Sequence, residues 1–97
     1  MTDRSGVRRF GPEQWAVLRR RLAVLRAAPT LAEVRGTPGR LHPLGADRAG
    51  QYALDLRGAR RLVFEPIHEP PGAHGAGGPD EASVKAVRII GVVDYHD

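Results

Sequence analysis

The chain has 97 residues, the length of one small domain with a single modest core. It has no cysteine, which excludes disulfides, zinc ribbons, iron–sulfur centres and thiol nucleophiles together, and it has no apolar run of about 18 residues, which excludes a transmembrane helix. Fifteen Lys and Arg against eleven Asp and Glu give a formal charge of +4, and 41% hydrophobic with 27% charged residues is a globular balance rather than a disordered one.

The first fourteen residues carry no apolar stretch of the secretory kind, so a cytoplasmic location is expected. Fourteen of the fifteen cations are Arg and one is Lys85. Residues 1–40 hold nine Arg and three acids, whereas residues 41–97 hold six cations and eight acids. A planar guanidinium suits phosphate and carboxylate, so this asymmetry points to an acidic or polyanionic partner meeting the first part of the chain.

Residues 1–9 are short, polar and basic and read as a loosely held arm. A helix is expected from near Phe10, with Pro12 in its first turn and Glu13 near the positive end of its dipole. Trp15, Leu18, Leu22 and Leu25 recur at helical spacing and form its apolar face, with Arg19, Arg20, Arg21 and Arg26 around the remainder. Pro29 ends it. Thr30 with Glu33 has capping-box spacing for a short second helix from Leu31 to about Arg35, closed by the turn GTPG.

The period then changes to two. Residues 40–44 are extended, and Pro43 marks them as an edge strand or a strand end. Residues 45–50 are a loop. QYALDLR, residues 51–57, alternates with Tyr52, Leu54 and Leu56 on one face and Ala53, Asp55 and Arg57 on the other. Gly58-Ala59 predicts a two-residue type II′ hairpin into the strand 60–65, which sends Leu62 and Phe64 to the core and Arg61, Val63 and Glu65 to the other side. Residues 66–83 form a long Gly/Pro/His loop. Residues 84–93 are nearly continuous Val, Ile and Ala, which predicts the central strand of the sheet. The fold class is therefore α+β, with two N-terminal helices packed on one face of a three- to four-stranded antiparallel sheet in a single domain spanning residues 1–97.

His42, His68, His74 and His96 show no metal-ligand spacing, so neither a metal nor another cofactor is expected. His42 and the tail Asp94-Tyr95-His96 can instead supply proton transfer near neutrality. RNA brings its own nucleophile, the 2′-hydroxyl, so a base, an acid and phosphate-facing cations suffice to cut it. Arg57 and Arg61, on strands joined by a tight hairpin and both on the non-core side, are candidates for one phosphate.

The segment RLHPLGADRAGQYALDLRGARRLVFEP, a Gly/Pro loop and VKAVRIIGVVDYHD resemble, in that order, the HigB-like toxins of type II toxin–antitoxin systems, in the RelE/ParE superfamily. The resemblance covers about residues 7–96. It implies a RelE-like fold and a ribosome-dependent, metal-free mRNA endonuclease. It also implies a helix-turn-helix antitoxin of the HigA kind as partner, ribosome and mRNA as targets, and contact with DNA only through the antitoxin. By motif it makes His42, Arg61, Asp94, Tyr95 and His96 the catalytic set, with Arg48, Arg57 and Arg60 on RNA. Tyr95 would stack on a base and Asp94 would orient His96 or an arginine, with His42 and His96 dividing the base and acid roles. Family members begin with a strand ahead of this stretch, so the resemblance also implies an unpaired sheet edge that could receive a second copy. The alternative is a binding protein without catalysis, either a toxin remnant or a ParE-like protein acting on DNA gyrase.

Overall fold

The first helix bends where glycine permits it. A computed structural model describes residues 4–67 and 80–94, and in it α1 (Arg4–Ala27) is interrupted at Gly11, whose φ of 75° and ψ of 166° are non-helical. Pro12 follows at once and starts the main stretch of the helix, since its fixed φ suits a first turn and its missing N–H is not needed there. The expected helix start is therefore the point of the kink. Residues 4–9, part of the stretch 1–9 expected as a loose arm, are helical as well.

The buried face of α1 is turned slightly from the expected stripe. Gln14, Val17 and Leu18 are buried, while Trp15, Leu22 and Leu25 are half-buried and pack at the margins. Arg19, Arg20 and Arg26 are exposed, as a solvated face requires. Arg21 is not: its Nε donates to the Asp55 carbonyl at 3.0 Å.

α2 is one short turn, Leu31–Val34, and its N-terminus is held by the expected pair. The Thr30 N–H donates to Glu33 Oε1 at 3.1 Å, and the Thr30 hydroxyl donates to the same oxygen. That hydroxyl holds the Glu33 carboxyl below its ordinary range. Leu31 N–H donates to the Val84 carbonyl at 2.9 Å, which ties α2 to the chain entering the last strand. Arg35 adds a second tie by gripping both carboxylate oxygens of Glu81, at 2.8 and 2.5 Å, and so lowers the Glu81 pKa.

Four antiparallel strands follow: β1 (His42–Pro43), β2 (Tyr52–Asp55), β3 (Arg60–Pro66) and β4 (Val87–Asp94), in the spatial order β1-β2-β3-β4. Single turns of 3-10 helix lie at Ala46–Arg48 and Glu81–Ser83. Pro43 lies in an edge strand, as its missing N–H demands. Of the expected loop 66–83, Pro66 belongs to β3 and residues 81–83 to a 3-10 turn, while residues 68–79, with His68 and His74, lie outside the described residues.

The hairpin loop is one residue longer than expected. Asp55 pairs with Arg61, and Leu56 N–H donates to the Arg60 carbonyl at 2.9 Å, so residues 57–59 form the loop. Gly58 supplies the left-handed φ of +65° that the turn needs.

The expected position of the last strand is wrong. β4 is an edge strand, with Ile89 and Ile90 44% and 42% exposed. The central strands are β2 and β3, where Ala53 and Val63 are fully buried although they face away from the helices. The apolar run of β4 serves a different purpose. Val63 pairs with Gly91 and Phe64 with Ile89, so Ile90 is an extra residue in a β-bulge. The bulge reverses the alternation, and Val87 and Val92, five residues apart, both reach the helix side.

The core between helices and sheet has two lobes. Leu31, Val34, Leu41, Tyr52, Leu54, Phe64 and Val84 form one, and Val17, Leu18, Leu56 and Leu62 form the other. Leu25 packs against both. The fold is α+β, with helices on one face of an antiparallel sheet. Among the described residues no helix is long and apolar enough to cross a membrane.

Candidate nucleic-acid interface

The sheet face away from the helices carries the candidate chemistry. Strand register puts His42 opposite Ala53, Ala53 opposite Val63, and Asp55 opposite Arg61. Directly paired residues share a face, and so do residues two apart on one strand. His42, Asp55 and Arg61 therefore lie on one face, separated by the buried Ala53 and Val63.

Asp55 organises this face. Its Oδ1 accepts from Arg61 Nε at 3.1 Å and its Oδ2 from Arg40 Nε at 2.9 Å. Its backbone carbonyl accepts from Arg21 Nε at 3.0 Å, and its N–H donates to the Gly39 carbonyl at 2.6 Å. Two guanidiniums thus flank one carboxylate and a third holds the same residue's backbone carbonyl, and the cluster remains cationic.

Arg40 also fixes His42. The Arg40 carbonyl lies 2.7 Å from His42 Nδ1. A carbonyl only accepts, so Nδ1 carries the proton and the neutral ring keeps its lone pair on Nε2. Arg40 adopts φ of +54°, a left-handed conformation that side chains larger than Asn or Asp rarely take.

The other expected residues are placed differently. Arg57 does not join Arg61. Its Nη1 pairs with Glu13 Oε1 at 3.1 Å, and its backbone N–H and carbonyl bond Gln14 Oε1 and Nε2 at 2.8 and 3.0 Å. Arg60 pairs with Asp94 in register on the helix side of the sheet, with 3.7 Å between Nε and Oδ2. Asp94 is thus on the opposite face from His42 and Arg61, because Val93 takes the position across from Arg61. The expected convergence of all five catalytic candidates on one face does not include Asp94, which lies against an arginine instead. Arg48 Nη1 donates to Gln51 Oε1 at 3.0 Å, and Arg48 borders a cleft of about 420 Å³ between residues 44–48 and Val93-Asp94. Tyr95 and His96 lie outside the described residues.

Two features of the interface were missed by sequence reasoning. Asp55 was legible as an acid on the non-core side, close in sequence to Arg61 across a hairpin. Arg40 was not, because only its positive φ, following Gly39, turns its side chain toward Asp55 and its carbonyl toward His42.

No family model, curated protein or solved structure matches this chain.

Proposed function

We propose that this chain is a HigB-like toxin that cuts mRNA on the ribosome without a metal, in the cytoplasm, and is held in check by a helix-turn-helix antitoxin. The observation that carries the reading is the placement of His42 and Arg61 on one sheet face, with the His42 tautomer fixed by the Arg40 carbonyl. A neutral imidazole with its lone pair on Nε2 is a general base.

In the proposed reaction His42 Nε2 takes the proton of the RNA 2′-hydroxyl. The 2′-oxygen bonds to phosphorus and the bond from phosphorus to the 5′-oxygen breaks. Arg61 stabilises the charge on the non-bridging oxygens, and the leaving oxygen takes a proton from an acid, the role left to His96. The products are a 2′,3′-cyclic phosphate and a 5′-hydroxyl. The exposed Arg19, Arg20 and Arg26 of α1 suit an acidic antitoxin segment or ribosomal RNA.

Regulated expression with growth and mRNA integrity followed together tests this. The wild-type chain should arrest growth and shorten mRNA, and His42→Ala should abolish both while folding normally. Intact growth with the wild-type chain contradicts the reading. Growth arrest with intact mRNA and altered DNA supercoiling favours the gyrase-binding alternative.

A further inference from the structure

The structure assigns Arg40 to a phosphodiester-binding site formed jointly with Arg61 across Asp55, a site for the backbone of single-stranded RNA. This inference rests on the ribonuclease reading for its choice of ligand. Arg40 and Arg61 both donate through Nε to the two oxygens of one carboxylate, at 2.9 and 3.1 Å. Asp55 therefore sets the spacing and orientation of the two guanidiniums, in the way a rigid anchor orients a fork. Among the described residues Arg40 spends only Nε on this anchor, and its side chain is 66% exposed, so its two amino groups face solvent. A tetrahedral phosphate has non-bridging oxygens to accept from the Arg40 amino groups, in the field of the adjacent Arg61 charge. The left-handed backbone at Arg40 brings its side chain into place and at the same time directs its carbonyl to His42 Nδ1. One residue thus binds the phosphate and orients the imidazole beside it. Asp55 acts as a positioning residue.

Glycine at position 40 keeps the left-handed backbone without strain and so preserves the carbonyl that holds His42. Binding is measured by fluorescence anisotropy on a single-stranded RNA bearing 2′-O-methyl groups, which cannot be cut. Arg40→Gly should weaken binding about tenfold and reduce the salt slope by about 0.7. Arg40→Lys, which keeps the charge and loses the fork, should recover part of the affinity. The double variant with Arg61→Gln should bind little worse than the weaker single variant, since both groups serve one phosphate. Wild-type affinity and salt slope in folded Arg40→Gly overturn the assignment, as does a wild-type chain that fails to bind this RNA at low salt. RNA cleavage with Arg40-independent binding removes this site and leaves the ribonuclease reading standing. Arg40-dependent binding without cleavage by the wild-type chain does the reverse.

Discussion

Gly39 and Gln14 show how single residues hold the candidate face in place. A Cβ built at Gly39 would lie 2.7 Å from Arg21 Nε and 3.3 Å from Leu54 Cδ2, on a backbone with φ of +112°. Gly39→Ala is expected to cost about 1–3 kcal/mol and to displace Arg21 from the Asp55 carbonyl, measured by chemical denaturation. Gln14 is 8% exposed and closes both polar groups of the Arg57 backbone. Gln14→Ala removes the partner of the Arg57 N–H and leaves its carbonyl only the 3.3 Å bond from the Arg60 N–H, and is expected to cost about 1–3 kcal/mol in the same assay. The Glu81 carboxyl is held below its ordinary 4.5 by Arg35. A depressed native pKa contributes stability above the unfolded value, and that contribution fades as pH falls below about 4.5 through the native value. The pair is largely solvent-screened, so its share is about 1 kcal/mol at most. Glu81→Gln should lower neutral-pH stability by up to about that amount, and its Tm should converge with the wild type's as pH falls below about 4.5.

The elements divide into those that local chemistry specifies and those that depend on distant partners. The second helix was legible because Thr30 and Glu33 form its start signal from within the sequence, and β1 because Pro43 cannot donate to a ladder. The order of the strands was not. A run of Val and Ile indicates a strand, and the expected inference from it is burial on both faces. Which strands actually flank it is decided by the sheet. Here the alternating YALD of β2 is central, with small Ala53 closing its second face, and β4 is the edge. The bulge at Ile90 was likewise illegible, because it exists only relative to the pairing of β3. This arrangement predicts opposite outcomes for two apolar residues on adjacent strands. Ile89→Lys should change stability by no more than about 0.5 kcal/mol, whereas Leu62→Ala should cost about 2–5 kcal/mol, both read from urea unfolding.

Across the whole molecule, the charge asymmetry of the sequence becomes two cationic surfaces. One is the exposed row of Arg19, Arg20 and Arg26 on α1, and the other is the Arg40–Asp55–Arg61 cluster on the far face of the sheet. The row was legible from helical spacing alone. The cluster was only half legible, because Arg61 follows from strand alternation while Arg40 depends on one left-handed residue outside any strand. Arg57, expected beside Arg61, was drawn to Glu13 instead because the hairpin loop gained a residue and met the start of α1. In the proposed reaction the RNA itself supplies the nucleophile and His42 takes its proton. The most direct test is the chemistry of the ends produced when the purified chain acts on a ribosome-bound mRNA. A 5′-hydroxyl and a 2′,3′-cyclic phosphate at the cut, lost with His42→Ala and with a 2′-deoxy nucleotide at that position, is the predicted result; cleavage that persists with the 2′-deoxy nucleotide, or no cleavage at all, would contradict it.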